Sequence, residues 1–305
     1  MDDNGAPANR HDELAARFEE YRPHLKSVAY RMLGSLSESD DAVQESWIRL
    51  SRSDTTEVAN LGGWLTTVVG RICLDMLRTR QSRREDSLSF SMDTHVPDPV
   101  VSRGDVVDPE QEVLLADSVG LALLVVLETL APAERLAFVL HDMFAVPFDE
   151  IAPIVERTPA ATRQLASRAR RRVQGSAPRP DNDPVRQREV VGAFLAAARG
   201  GDFDALLELL DPDVVLRADT GELASGLSKL VRGATVVAGQ AAMFSEGAPA
   251  IELAFINGRV GAIGVPDGQV VSVMEFTISN GRIVELNILV DPARMRALGL
   301  PEIRG

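Results

Sequence analysis

The chain is poor in the residues that most site chemistry uses. Cys73 is its single cysteine, which excludes an intramolecular disulfide and fits a reducing cytoplasm. The opening, Met1-Asp2-Asp3-Asn4-Gly5, has neither the basic nor the apolar part of a signal peptide. The longest apolar run, around Leu121 to Leu127, falls far short of the ~20 residues a membrane helix needs. A cytoplasmic protein without membrane association is therefore expected. Lysine occurs only at Lys26 and Lys229, so nearly all positive charge is guanidinium, the better fork for phosphate and guanine. From residue 187 to 305 there is no His, Cys, Tyr or Trp. His11, His24, His95 and His141 lack ligand spacing, so no metal site and no cofactor is expected.

What is present is ample core material and an uneven charge. The 305 residues are 45% hydrophobic and 25% charged, enough for two or three packed domains at ~150 residues each. A net charge of −13 excludes a uniformly basic nucleic-acid coat. It permits a local patch, because exposed charges more than ~8 Å apart are largely screened at physiological salt. Two such patches exist. Arg71, Arg78, Arg80, Arg83 and Arg84 face one acid, Asp75; Arg163, Arg168, Arg170, Arg171 and Arg172 lie in a stretch with none. Between them, residues 85–118 hold nine acids against Arg103.

Residues 12–84 read as helices. Leu14, Phe18, Tyr21, Leu25, Val28, Met32 and Leu33 recur at three- and four-residue steps up to Gly34, the period of one buried helix face. Ser37 is the expected cap of the next helix, with Asp40, Asp41 and Glu45 at its start, where the dipole favours acids. A third stripe runs Leu61, Trp64, Leu65, Val68, Val69, Ile72, Met76, Leu77, with Arg71, Asp75 and Arg78 opposite. Cys73 adjoins that stripe as a packed thiol. Residues 85–112 carry Pro97, Pro99 and Pro109 and no sustained period, so they read as an extended or irregular tether.

A second helical block, 113–174, begins with a helix through Leu114, Leu121, Leu124 and Leu130, and Pro132 opens the next at its first turn. Phe148, Ile151, Ala152 and Val155 make a short helix, Glu156-Arg157-Thr158 a turn, and 159–173 a second helix. At 100° per residue, Ala161, Leu165, Ala169 and Val173 share one face, and Arg163, Gln164, Ser167, Arg170 and Arg171 the other. A helix-turn-helix lays such a face in the major groove, where arginine grips guanine and Gln or Ser reads other edges. The bland reading is a solvated surface helix.

These residues carry a resemblance. Residues 12–173 resemble an extracytoplasmic-function sigma factor of bacterial RNA polymerase. Asp40-Asp41-Ala42-Val43-Gln44-Glu45-Ser46-Trp47 is similar to the family's polymerase-clamp helix. Gly63-Trp64-Leu65 through Arg78 resembles the helix that opens and reads the −10 element. Glu150-Ile151-Ala152 followed by 163–171 resembles the −35 reader. The resemblance implies that Asp40, Asp41, Gln44 and Glu45 dock on core polymerase. It implies that Asn60, Arg71, Asp75, Arg78 and Arg80 serve the −10 element, with a flipped base held near Asn60 and Gly62-Gly63. Arg163, Gln164, Ser167, Arg168, Arg170 and Arg171 would serve the −35 element. Trp64 reads as a core anchor.

After a linker at 175–186, residues 187–305 turn from helices (Val190 to Ala198, Phe203 to Leu210) to strands at 214–216, 251–256, 260–265, 270–278 and 283–290. Asn257-Gly258 and Asn280-Gly281 are hairpin turns. Helices followed by a meander curling around them resemble the SnoaL-like branch of the nuclear-transport-factor-two-like fold, which a subgroup of these sigma factors carries. The expected architecture is thus multidomain: two all-α sigma domains, a region 2 helical bundle and a region 4 helix-turn-helix, plus a C-terminal α+β SnoaL-like cone-shaped domain.

The subgroup's motifs are partly kept. His95-Val96-Pro97-Asp98-Pro99 preserves the prolines and acid of a tether Trp-Leu-Pro-Glu-Pro and loses the tryptophan. Asp219-Thr220-Gly221-Glu222 keeps little of an Asp-Gly-Gly-Gly stretch, and Asp291-Pro292-Ala293-Arg294-Met295 reduces a terminal Asn-Pro-Asp-Lys-Leu. Pro153, inside the first helix of the helix-turn-helix, departs from the pattern and threatens that helix.

Three functions compete. The first is a sigma factor that binds core polymerase and promoter DNA, with the C-terminal domain contacting the sigma domains or linker in cis. Pro97, Asp98, Pro99, Asp291 and Pro292 would be its regulatory residues, in a tethered domain acting at ~mM effective concentration. The second is a helix-turn-helix regulator independent of polymerase. The third is a SnoaL-like enzyme fused to a DNA-binding region, for which only Asp219, Glu252 and Glu275 offer a general base. Each of those reads more simply as a surface or hydrogen-bonded carboxylate. The first reading, not an enzyme, is the one the motifs favour.

Overall fold

The structure, a computed structural model, describes residues 6–53, 58, 60–85, 94–102, 120–176, 180–221, 229–245 and 250–300. It divides into two compact units: residues 1–87 with 127–175, and residues 88–126 with 176–305. The expected helix start at Val113 and Leu114, the side chains of Arg83 and Arg84, and Glu222 lie outside the described residues.

The first unit opens with α1 (Ala6–Leu33), α2 (Leu36–Arg52) and α3 (Leu61–Glu85). Gly34, at φ 70°, ends α1 by returning its N–H to the Tyr30 carbonyl, a left-handed stop that glycine adopts without strain. The cap of α2 is Ser35, not Ser37: its hydroxyl accepts from the Glu38 amide. Starting α2 this early moves Asp40, Asp41 and Glu45 past the first turn, which holds Glu38 alone. Their placement therefore owes little to the helix dipole, which fades within one turn. Leu25, Met32, Leu33, Leu50, Leu65 and Leu74 meet in a fully buried core, where Cys73 is packed and its thiol is pushed far up by burial.

The second helical block supplies α4 (Leu121–Glu128), α5 (Pro132–Phe138), a π-turn at Val139–Met143, α6 (Phe148–Ile151) and α7 (Pro159–Ser176). Pro132 opens α5 at its first turn. Helix α6 is one turn long; the expected continuation through Val155 dissolves into turns, because Pro153 has no amide to extend the ladder. Thr162, Ala166 and Ala169 form the buried face of α7, about one residue round from the stripe expected at 161, 165, 169 and 173. Small side chains there permit close approach.

Residues 127–175 pack on 1–87 rather than standing apart. Buried Arg135 donates from Nη1 to the Met32 carbonyl at 2.8 Å, and Leu136 and Leu140 close on Gly70, where a Cβ would lie 3.3 and 3.1 Å from their methyls. Phe144 meets the ring of His24 edge-on and lies under the Arg31 guanidinium.

In the second unit α8 (Pro184–Gly200) and α9 (Phe203–Leu209) precede β2 (Leu210–Asp219), β3 (Lys229–Arg232), α10 (Ala234–Ser245), β4 (Ile251–Ile256), β5 (Arg259–Gly264), β6 (Ser272–Ser279), β7 (Arg282–Leu289) and α11 (Pro292–Ala297). Asp183 and Asp202 cap α8 and α9. The meander β4-β5-β6-β7 is antiparallel, with left-handed Asn257-Gly258 and Asn280-Gly281 at two of its turns. β2 then joins β7 in parallel. The tether adds β1 (Val101–Ser102) to the free edge of β4, giving the order β1-β4-β5-β6-β7-β2-β3.

The sheet has two buried faces. Leu216, Ala262, Phe276, Ile278 and Leu286 face the helices Val191, Phe194 and Leu206 come from. Side chains alternate along a strand, so Arg217, Gly261, Glu275 and Asn287, paired in register across β2, β7, β6 and β5, occupy the other face.

Candidate functional site

Arg163, Gln164, Ser167, Arg168 and Arg171 are exposed on one side of α7, and Arg170 is half-buried. The α5 residue Glu134 pairs with Arg168 at 3.0 Å and Arg172 at 3.5 Å, and Asp142 holds Arg170 Nε at 2.7 Å. The Arg163 guanidinium lies over the Phe148 ring, itself stacked on His141. Arg163, Gln164, Ser167 and Arg171 are therefore presented, whereas Arg168 and Arg170 are braced against their own domain.

On α2, Asp40, Asp41 and Gln44 are exposed and Glu45 half-buried. Asp40 pairs with Lys26 at 2.8 Å and Glu45 with Arg49 at 3.0 Å. Asn60 caps α3, its Oδ1 accepting from the Gly63 amide at 3.0 Å. Gly62 lets Tyr21 close, since a Cβ would fall 2.8 Å from the ring. Trp64 is half-buried, while Arg71, Asp75 and Arg78 are exposed. Arg80 differs: it bonds the Glu38 carboxylate and the Leu33 carbonyl, tying α3 to the start of α2.

The tether is the most elaborately held segment of the second unit. Val96, Pro97, Asp98, Pro99 and Val100 are all buried. The Val96 amide donates to Asp219 Oδ2 at 3.0 Å, and His95 Nδ1 lies 3.2 Å from the same oxygen. Arg294 joins three groups: Nη1 to Asp219 Oδ2 at 2.8 Å, Nη2 to the Val96 carbonyl at 2.6 Å, and both Nε and Nη2 to Asp98 Oδ1. Further along, Asn257 brackets Val100, accepting its N–H on Oδ1 at 2.9 Å and donating its own N–H to the Val100 carbonyl at 2.8 Å. The prolines suit this path, since neither has an amide to satisfy and each fixes φ near the extended range.

Asp291 and Pro292 act one step removed. Asp291 caps α11, accepting from the amides of Ala293 and Arg294, with Pro292 in the first turn. That cap aims Arg294 at the tether. Gly221, at φ 77°, lies where a Cβ would strike the Asp291 carboxyl, so the two residues surviving from the Asp219 motif, Asp219 and Gly221, are the ones in use. Burial pushes the Asp219 carboxyl up, but bonds from His95, Val96 and Gly221, with the His95 charge, outweigh it and hold it down to about 2. The sequence offers Asn257 only as a turn residue and Arg294 only as part of the Asp291 motif, neither as a holder of the tether. An arginine three residues past an Asp-Pro helix start was the one signal available.

The other two general-base candidates, Glu252 and Glu275, lie apart from this cluster. Glu252 is exposed. Glu275 is fully buried and hydrogen-bonded to Asn287, which accepts from Arg217, which in turn pairs with Glu285. Among the described residues no group of His, Cys, Asp and Glu is arranged to hold a metal ion, and no helix is long and apolar enough to cross a membrane.

Comparison with known proteins places this geometry. Residues 17–83 match Sigma-70 region 2, and residues 120–173 match Sigma-70, region 4. The chain is 40% identical over 303 residues to the ECF RNA polymerase sigma factor SigJ of Mycobacterium tuberculosis, covering 95% of each chain. It is 35% identical over 292 residues to the probable ECF RNA polymerase sigma factor SigI of the same species, covering 95% of this chain and 97% of the relative. The crystal structure of M. tuberculosis SigJ superposes with a TM-score of 0.73 at 37% identity, over 94% of this chain and 99% of that one. The likeness runs through both helical blocks, the tether and the α+β domain alike, so the chain belongs to the extracytoplasmic-function sigma factors of RNA polymerase.

Proposed function

We propose that this sigma factor works in the cytoplasm with core RNA polymerase and promoter DNA, and that its C-terminal domain tunes it in cis through the tether. The acidic side of α2, with Asp40, Asp41, Gln44 and Glu45, is complementary to a basic polymerase surface. Arg71, Asp75 and Arg78 on α3 serve the −10 element, with Arg80 bracing that helix. On α7, Arg163, Gln164, Ser167 and Arg171 read the −35 element, with Arg168 and Arg170 holding the helix in place. Promoter melting needs no bond-making chemistry, only tighter binding of separated strands than of duplex, so the chain needs no catalytic residues for it.

The observation that carries the cis reading is the burial of residues 96–100 under Asp219, Asn257 and Arg294. A segment that must span two promoter contacts is held instead by the domain that follows them. With 127–175 packed on 1–87, the described arrangement is a resting state, and core polymerase competes for the tether and the packed helices. Transcription by the full chain compared with a chain stopped at Ala177 tests this. A several-fold difference in promoter output supports tuning in cis, and equal output shows a passive passenger.

A further inference from the structure

Glu275, in the middle of β6, is wholly buried, and each of its oxygens accepts an N–H: Oε1 from the Leu121 amide and Oε2 from Asn287 Nδ2, both at 3.1 Å. The Leu121 amide opens α4, and opening amides have no partner inside their own helix. A side chain 154 positions away thus does the work of a helix cap. Gly120 permits the approach, since a Cβ there would lie 3.0 Å from Arg259 Nε and 3.1 Å from Glu275 Oε1. Among the described residues, Arg259 Nε is buried without a hydrogen-bond partner. Gly120 and Leu121 belong to the same compact unit as β6, and the region 4 match begins at residue 120.

We propose that Glu275 is a positioning residue for the first turn of α4: it clasps Gly120-Leu121 onto the C-terminal sheet and makes that seating proton-linked. This rests on the cis reading and adds to it a residue and a ligand, the proton. The charged groups facing Glu275 are Arg259 from β5, Glu285 from β7 and, through Glu285 and Asn287, Arg217 from β2. Burial dominates and pushes the acid up to about 7, against bonds from Asn287 and Leu121 and the charge of Arg259, and with Glu285 adding to the rise. The seated state therefore binds the proton more tightly than an unseated one near the ordinary 4.5. Seating is strongest in acid, weakens as pH rises towards 7, and levels off above.

The test is amide exchange in the full-length protein, read as the protection of Leu121 relative to its intrinsic rate. Val260, whose amide is held by Gln187 in the same domain, serves as the reference. The wild type should lose up to about tenfold of Leu121 protection per pH unit between roughly pH 5 and 7, with Val260 flat. Glu275→Gln should abolish the slope. Gly120→Ala should lower Leu121 protection at every pH without moving Val260, a check independent of whether the Gln variant folds. A flat wild-type profile, or a slope surviving in Glu275→Gln, overturns the clasp. If exchange behaves as expected while promoter output with core polymerase is the same for wild type and Glu275→Gln, the clasp stands and tuning in cis fails.

Discussion

Arg294 Nε and Nη2 both donate to a single oxygen of Asp98, at 2.9 and 2.5 Å, across 196 positions of sequence. Two buried carboxylates, Asp98 and Asp219, converge on this one guanidinium, so its removal takes from both the cation they share. Breaking a buried ion pair from one side costs about 3 kcal/mol, roughly two orders of magnitude in an opening equilibrium. Arg294→Ala should therefore release the tether, read as lost exchange protection at the Val96 and Val100 amides. Arg294→Lys keeps the charge but not the fork and should retain part of that protection. Equal protection in all three chains would show that the tether is held without Arg294, by Asp219, Asn257 and its own apolar residues.

Asp219 gives the tether an acid limit. Its acid is held down to about 2 from the ordinary 3.8. A depressed carboxylate stabilises the state that depresses it above the ordinary value, and that contribution is lost as pH falls from about 4 towards 2. The loss amounts to about 2 kcal/mol. Asp219→Asn should remove that step from the pH profile of Val96 protection, while lowering protection at neutral pH. An unchanged acid limb in Asp219→Asn would assign it to other carboxylates.

On α7 the structure separates outward-facing side chains from side chains braced against their own domain. Gln164 and Arg163 face outward, whereas Arg170 is held by Asp142. Replacing a base-reading side chain costs about 1–3 kcal/mol at its own position, so Gln164→Ala and Arg163→Ala should cut promoter output about fivefold or more, and Gln164→Ala should leave the melting temperature unchanged. Arg170→Ala should do less to output. Its partly exposed ion pair contributes at most about 1 kcal/mol, visible as a small drop in melting temperature.

The helices were legible because their signals are local. A stripe at three- and four-residue steps, Gly34 past the end of α1, Pro132 opening α5 and two Asn-Gly turns each act within a few residues. What misled was also local: Ser35 and Ser37 offer the same hydroxyl, and only the path of the chain out of Gly34 decides between them. The α7 face slipped because Ala161, Leu165 and Ala169 make as good a stripe as Thr162, Ala166 and Ala169, and packing chose the smaller set. β3, α10 and β1 were missed. A two-residue strand such as Val101–Ser102 exists only because the β4 edge is there to pair with, and nothing in its own sequence announces it. The hold on the tether is half visible in the sequence: Asp98, Asp219 and Asp291 stand in recognisable motifs, while Asn257 reads as a turn residue, which it also is.

Arg80 and Arg78 lie two residues apart on one basic helix, yet the structure gives them different work. Arg78 is exposed, its contact with Asp75 at 3.8 Å loose. Arg80 reaches back to the Glu38 carboxylate and the Leu33 carbonyl, with its side chain about one-fifth exposed, so it joins the end of α1 and the start of α2 to α3. A charged hydrogen-bond partner removed from such a site costs about 1.5–3 kcal/mol, and helices tied by it should loosen together. Arg80→Ala is expected to lower the melting temperature of the full chain by several degrees and to reduce transcription only in proportion to the folded fraction. Arg78→Ala should leave melting unchanged and weaken output from every promoter, with a shallower salt dependence, as the loss of one phosphate contact does. Measuring both variants by thermal unfolding and by transcription with core polymerase separates the two roles. If Arg80→Ala melts like wild type and fails only in transcription, then Arg80 leaves Glu38 to touch DNA, and the tie between α3 and α2 is a feature of the resting state alone.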